Sequence, residues 1–195
     1  LEFLNKKIYL VRHGETEWTL SGQHTGITDI PLTKNGEAQA ERIGKRLGGH
    51  AFQTVLSSPL QRASCTCEFA GFLKQARLDP DLTEWHYGQF EGLTTQEIWE
   101  EQPHWNIFSN GAPGGESVAD IEVRTARILG KIQSLNGDVL IFSHGHFLRA
   151  LAAKWLQLHI QDGRLFHLSP GSISILGFER NNHVLMLWNE TFSTY

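Results

Sequence analysis

Leu10-Val11-Arg12-His13-Gly14-Glu15-Thr16 closes an apolar run that begins at Lys7. Apolar residues at successive positions read as a strand buried on both faces, and the Arg-His-Gly after them reads as a turn at its tip. The same pattern recurs twice further along. Thr54 to Ser57 is a short strand followed by Ser58-Pro59, and Asp138 to Phe142 is a strand followed by Ser143-His144. Helical patterns lie between and after them. Asn35 to Leu47 carries Ala38, Ile43 and Leu47 at helical spacing and stops at Gly48-Gly49. Further helices are predicted from about Leu60 to Leu73, over Thr94 to Glu101, from an N-cap at Ser117 to about Leu135, and over His146 to Leu158. Ser172 to Phe178 and His183 to Trp188 read as a closing strand pair joined by Asn181-Asn182. Strands separated by helices predict the α/β class, as a three-layer α/β/α sandwich with a mostly parallel central sheet. Ligands in such folds sit beyond the carboxyl ends of the strands. Three strands turn polar there, at Arg12-His13, Ser57-Ser58 and Ser143-His144, so that edge is the expected functional surface.

With 195 residues, 40% of them hydrophobic, the chain is expected to form one packed domain over 1–195 without a disulfide or metal staple. Its formal net charge of −4 argues against a general nucleic-acid binder. Apolar runs such as Val139 to Phe142 are far short of the roughly 20 residues a membrane span needs. The stretch from Leu1 to Lys7 lacks the charged, apolar and small-residue succession of a signal peptide. Cys65 and Cys67 stand two apart in a predicted helix and so point in different directions, which suits neither a bridge nor a metal clamp. Such cysteine usage predicts a reducing, cytoplasmic compartment. The sequence assigns no oligomeric state.

The strand tips carry chemistry. An imidazole is a nucleophile through one ring nitrogen when a hydrogen bond holds the other. Beside His13, Arg12 offers a planar fork of donors suited to phosphate oxygens, and Gly14 lets a ligand approach the backbone. Taken alone, the triplet is better explained by a structural histidine with an ion-paired arginine, but it has company. Ser58-Pro59-Leu60-Gln61-Arg62 places Arg62 in the first turn of a helix, whose N-terminal end attracts anions. The plainer alternative is a solvated arginine at a capped helix start. In Ser143-His144-Gly145-His146, two histidines at i and i+2 would share one face of a strand, which raises a metal reading. Neither a His-Glu-x-x-His pattern nor a cysteine pair supplies further ligands, so no metal is assigned. Glu84, in Leu82-Thr83-Glu84-Trp85-His86-Tyr87-Gly88, is flanked by aromatics whose packing would partly desolvate it and suit it to general-acid use. An exposed loop glutamate is the other reading.

Arg12-His13-Gly14-Glu15-Thr16, Arg62 after Ser58-Pro59, Glu84 before Gly88-x-x-Glu91-Gly92, and Ser143-His144-Gly145 follow one another in a telling order. Together they resemble the signature of the histidine phosphatase superfamily, the phosphoglycerate-mutase-like branch 1, over about Lys7 to Ala152. The resemblance implies His13 as the phosphohistidine nucleophile and Arg12, Arg62 and His144 as the phosphate pocket. It implies Glu84 as proton donor to the leaving group and later as the base that activates water. No cofactor or metal is implied. Phosphoryl transfer is mostly positioning plus charge stabilisation, which two guanidinium groups and an imidazole can supply.

Within the superfamily, four stretches resemble the fungal-type sedoheptulose-1,7-bisphosphatase subgroup, which acts on sugar bisphosphates. They are Gly22 to Asp29, Glu84 to Gly92, Trp105 to Phe108 and His144 to Arg149. That likeness implies Gln23, His24, Thr25, Ser58, Tyr87, Gly145 and Arg149 as substrate contacts, and a small phosphorylated metabolite as the partner. The subgroup tends to have an acidic residue where His86 stands, a tyrosine at position 24 and a basic residue at position 109, here Ser109. The leading expectation is therefore a metal-independent phosphomonoesterase. The alternatives are a bisphosphoglycerate-dependent phosphoglycerate mutase and a catalytically silent module that holds a phosphorylated ligand. The chain is short for the mutase, and every catalytic group is present, which counts against silence. Asn110 to Gly115 reads as either a mobile loop over the pocket or an ordinary turn.

Overall fold

A computed structural model of the chain describes residues 6–192. The reading of Leu1 to Asn5 as lacking a signal pattern lies outside them. In chain order the elements are β1 (Ile8–Arg12), α1 (Glu17–Ser21), α2 (Lys34–Leu47), β2 (Thr54–Ser57), α3 (Gln61–Phe69) and β3 (Ala76–Leu78). After these come α4 (Thr95–Glu101), α5 (Ile107–Asn110), α6 (Val118–Ser134), β4 (Val139–Ser143), α7 (Gly145–Trp155), β5 (Ile173–Glu179) and β6 (Asn182–Glu190). The six strands form one sheet in the order β3-β2-β4-β1-β5-β6. Four of them run parallel, and β5 and β6 are added antiparallel at one side.

The alternation of side chains along β1 explains the layers. Ile8 and Leu10 face one core with Leu56 of β2, Ile141 of β4, Ile121, Ile128 and Ile132 of α6 and Phe147, Leu151 and Trp155 of α7. Tyr9 and Val11 face the other, with Val55, Leu140 and Phe142 and with Ile43 and Leu47 of α2 and Cys67 of α3. Helices therefore cover both faces of the central strands, which is why those strands read as unbroken apolar runs. The fold class is the expected α/β sandwich with a mostly parallel sheet.

Several boundaries differ from the sequence reading. The helix expected to run to Leu73 ends at Phe69, because Gly71 takes a left-handed conformation (φ 87°). The chain then returns as the three-residue edge strand β3, too short to announce itself. Helix α7 stops at Trp155 and not Leu158, with Gln157 left-handed at φ 61°. The final hairpin pairs Glu179 with Asn182, so its loop is Arg180-Asn181, with Arg180 at φ 54°. Ser117 caps α6 as expected, in a reciprocal box with Asp120.

One contact seats the His13 loop. A Cβ on Gly36, in the first turn of α2, would lie 2.2 Å from the Glu15 carbonyl oxygen, and one on Gly14 would lie 2.5 Å from the Gly36 carbonyl oxygen. Backbone meets backbone there, so neither side can yield as a flexible side chain would. Gly36→Ala is expected to destabilise the protein by about 2 kcal/mol and lower Tm by roughly 4–8 °C. Calorimetry checks this, and an unchanged Tm would contradict the close approach.

Candidate active site

Parallel register brings the three polar tips to one level. Arg12 pairs with Ser143 across β1 and β4, and Ser57 pairs with Phe142 across β2 and β4. The His13 amide donates to the Ser143 carbonyl at 3.0 Å, and the Ser58 amide donates to the Phe142 carbonyl at 2.9 Å. His13 is 4% exposed. Its Nδ1 lies 2.7 Å from the carbonyl oxygen of Gly14, an acceptor only, so Nδ1 carries the proton and Nε2 is left with its lone pair. Burial first, then the Arg62 and Arg12 charges, hold this imidazole well below the ordinary value of 6.5, against the smaller opposing effect of the Gly14 bond. The ring is neutral, with one nitrogen committed and the other free.

The two arginines are held by backbone carbonyls. Arg62 donates Nη1 to Thr28 at 3.0 Å and Nη2 to Gly26 and Thr25 at 2.8 and 3.2 Å. Arg12 donates Nη1 to the Leu168 carbonyl. In each, Nε is buried without a hydrogen-bond partner. His144 is a third case. Ser58 Oγ accepts from the Leu60 amide at 3.3 Å and lies 2.7 Å from His144 Nε2. Nε2 is the only acceptor the buried Ser58 hydroxyl proton meets among the described residues, so the proton goes to Nε2 and leaves His144 Nδ1 as a buried donor, also unpartnered. The His13 and His144 rings are 5.2 Å apart. Gly145 opens the space beside them, since a Cβ there would come within 3.1 Å of Arg12 Nε.

Glu84 is 6% exposed and is seated on the N-terminus of α7. Its Oε1 accepts from the Trp85 and Phe147 amides at 2.9 and 2.8 Å, and its Oε2 from the His146 amide at 3.0 Å. The side chain is buried, so it is not the exposed loop glutamate of the other reading, and backbone N–H groups orient it. The N-terminus of α3 is occupied differently. There the Gln61 amide donates to Asp29 Oδ1 at 2.7 Å, so the helix end that carries Arg62 is already capped by a carboxylate.

A cleft of about 180 Å³ opens onto these groups and is lined by Arg12, His13, Gln23, His24, Thr25, Glu84 and Tyr87 among others. Arg62, His144 and Ser58 are fully buried. His24 stacks on Tyr87 with ring centroids 4.8 Å apart and reaches Thr95 Oγ1 at 3.1 Å. Burial pushes His24 down to about 4, against the nearby Glu91. Gln23 donates to the Gly92 carbonyl at 2.8 Å. Arg149 is not among the residues lining the cleft. It donates to the Gly163 and Arg164 carbonyls, both at 3.1 Å, and lies over the Phe108 ring. Of the positions where the subgroup differs, His86 is half-buried and Ser109 exposed.

The sequence reading passed over Trp18, Thr19 and Gly22, which also line the cleft. Trp18 and Thr19 belong to α1 and Gly22 caps its C-terminus; the helix has five residues, too few for periodicity, and its one signal is the Thr16-x-x-Thr19 capping box. His146, raised only as a metal ligand, lines the cleft and bonds Tyr87 Oη through Nδ1. Both it and His144 lie at the start of a helix and not on a strand, and they are committed to different partners. Among the described residues no group of three or more His, Cys, Asp or Glu side chains is placed to hold a metal ion. Cys65 and Cys67 are both free, and burial pushes the Cys67 thiol up to about 12. No helix of the described residues is long and apolar enough to cross a membrane.

Comparison with known proteins agrees with this geometry. Residues 8–191 match the model of the histidine phosphatase superfamily, branch 1, and the chain belongs to that family. It is 42% identical to an acid phosphatase of Mycobacterium tuberculosis, over 90% of this chain and 88% of that protein. It is 36% identical to a sedoheptulose 1,7-bisphosphatase of Saccharomyces cerevisiae, over 81% of this chain and 70% of that one. Among solved structures, an open reading frame product from Mycobacterium tuberculosis superposes with a TM-score of 0.92 at 39% identity, covering 96% of this chain and 98% of that one.

The state of His13 is directly measurable. Nitrogen NMR of the imidazole is expected to show the neutral ring, protonated on Nδ1, persisting as the pH falls through 6.5, the ordinary histidine value. Arg62→Ala removes a neighbouring positive charge and should therefore move the His13 titration upward. A wild-type midpoint near the ordinary value would contradict the buried, cation-flanked environment.

Proposed function

We propose that this phosphatase hydrolyses small, sugar-like phosphate monoesters through a phosphohistidine on His13, without a metal ion, within a single histidine phosphatase domain in the cytoplasm. The observation that carries the reading is the set of three buried donors without protein partners, Arg12 Nε, Arg62 Nε and His144 Nδ1, around a neutral His13. Leaving a buried donor unsatisfied costs about 1–3 kcal/mol. A phosphoryl group supplies acceptor oxygens for all three.

In this reading His13 Nε2 attacks phosphorus while the donors take up the charge on the equatorial oxygens. Glu84 gives a proton to the departing alkoxide, so the product leaves as an alcohol. The resulting carboxylate then takes a proton from water, whose oxygen attacks the phosphohistidine and releases phosphate with His13 restored. Gln23, His24, Thr25 and Tyr87 face the rest of the substrate as amide, hydroxyl and aromatic groups, a lining suited to a polyol. Arg149 does not line the cleft but lies close enough to Arg12 and Glu84 to feel their charges, and its Nη1, without a hydrogen bond among the described residues, is the donor a second phosphate would take. The names of the acid phosphatase and bisphosphatase relatives are consistent with this substrate class.

Phosphate release across a panel of sugar phosphates, with EDTA present, tests the reading. Wild-type protein should turn over at least one sugar phosphate and trap an acid-labile, base-stable phosphate, and His13→Ala should do neither. Labelling that survives in His13→Ala would remove the nucleophile assignment. Activity that requires added bisphosphoglycerate, with little net phosphate release, would replace hydrolysis by the mutase reading. Arg149→Ala should raise KM for a sugar bisphosphate by about 10-fold and spare an aryl phosphate. Equal losses on both would take the bisphosphate preference away.

A further inference from the structure

Glu84 is held at its carboxylate by α7, but something must also hold the chain that carries it. Segment 81–86 has no regular secondary structure apart from a single turn of helix at Pro80–Leu82. The Arg124 side chain, 6% exposed and rooted in α6, crosses beneath it. Its Nη1 donates to the Asp81 carbonyl at 3.0 Å and to the Thr83 carbonyl at 2.5 Å, and its Nη2 donates to the Glu84 carbonyl at 3.2 Å. The same guanidinium makes a two-pronged pair with Glu116, Nε to Oε1 at 2.9 Å and Nη2 to Oε2 at 2.7 Å.

Glu116 closes the clamp from the other side. Its Oε2 accepts the His86 amide at 2.9 Å, and its carbonyl accepts the Trp85 indole N–H at 2.9 Å. The loop that carries it is packed against the segment, for a Cβ on Gly115 would lie 2.1 Å from the His86 carbonyl oxygen. That loop is packed on the segment, and none of its residues lines the cleft. Arg124 Cζ also sits 4.5 Å from the centre of the Phe147 ring, and Phe147 is the residue whose amide holds Glu84 Oε1. Thr83, Glu84 and His86 are therefore tied through their backbone, and Trp85 through its indole, to this one ion pair or to its loop. Neither residue lines the cleft described above.

We propose that the Arg124–Glu116 pair is a positioning device for the proton donor: it sets where Glu84 stands relative to the leaving-group oxygen. The inference rests on the reading of Glu84 as general acid. A side chain needs to be within hydrogen-bond reach of the atom it protonates, and a displacement of an ångström is enough to lose much of that help. The effect is confined to leaving groups that need a proton. An alkoxide does; nitrophenolate leaves unaided.

The test is the ratio of kcat/KM for a sugar phosphate to kcat/KM for p-nitrophenyl phosphate, since kcat/KM reports the steps up to phosphoryl transfer. Glu84→Gln should lower that ratio by about 100-fold or more. Arg124→Lys keeps the charge but loses the planar fork, and should lower it by about 10-fold. Glu116→Gln keeps one acceptor oxygen, enough for the His86 amide, but sets an NH2 donor in place of the other and so breaks the two-pronged pair with Arg124; it reports the same ratio if Arg124→Lys does not fold. A merely structural role would lower Tm and depress both substrates together, leaving the ratio unchanged, and that result overturns the proposal. If Glu84→Gln itself leaves the ratio unchanged, the general-acid reading falls and the proposal falls with it. A ratio that moves only in Glu84→Gln overturns the positioning role alone.

Discussion

Two guanidinium groups, Arg12 at the tip of β1 and Arg62 in the first turn of α3, stand at the carboxyl edge of the sheet with their Nε atoms buried and without an ion-pair partner, and much of the site follows from that arrangement. Neither Arg12 nor Arg62 is within salt-bridge distance of a carboxylate among the described residues. Withdrawing a cation from water is costly unless it is hydrogen-bonded. Backbone carbonyls of Thr25, Gly26, Thr28 and Leu168 meet that need in part, and Glu84 and Tyr87 act on both cations from a distance. Burial first, and then neighbouring arginine charges, hold His13, His144 and His146 neutral beside them. Such a pocket has charge complementarity for a phosphoryl dianion before any substrate arrives.

Carbonyls bind a guanidinium well only if the loop that presents them is rigid. The loop from Thr25 to Asp29 is fastened twice. Glu91 Oε1 accepts the Gly26 and Thr28 amides at 2.8 and 3.0 Å, and Asp29 accepts the first amide of α3 at 2.7 Å. Gly26 is tight in turn: a Cβ there would lie 2.6 Å from Glu91 Oε2. The carboxylates of this half of the site thus act on backbone amides, while the carbonyls of the same loop face Arg62. Separating the charges in this way spares the guanidinium a direct neutralising partner and so keeps its charge for the ligand.

How much of this the sequence discloses depends on whether a feature is local. The parallel core and the chemistry at its tips were legible because Lys7 to His13, Thr54 to Pro59 and Asp138 to His144 each carry strand, turn and reactive group within a few residues. Edge strand β3 and helix α1 were not, since neither is long enough to express a period. The seat of Glu84 was invisible for another reason. Its amide donors His146 and Phe147 lie more than sixty positions away, and a backbone N–H leaves no mark in a sequence. Arg124 drew no reading from the sequence, where it lies inside the helix predicted from Ser117 to about Leu135. Only the packing of α6 beneath segment 81–86 distinguishes it from Arg127, which pairs with Asp81 at the surface.

The occupancy of the helix ends decides how the phosphate is read. A free helix N-terminus binds any small anion, because it offers amides and a diffuse partial charge. Here α3 begins on the carboxylate of Asp29 and α7 begins on the carboxylate of Glu84. Both ends are taken by the protein's own acids, so in the proposed reading recognition falls to side-chain donors with fixed directions, two guanidinium Nε atoms and one imidazole. Those directions are set by bonds the same groups make elsewhere, to Leu168, to the Thr25–Thr28 loop and to Ser58. The second consequence concerns Glu84. Seated on α7, it takes its place from the helix that follows His144, so the proposed nucleophile His13, phosphate donor His144 and acid Glu84 are all referred to neighbouring strands β1 and β4, which share one register. A change that slid β1 against β4 would therefore misplace all three at once.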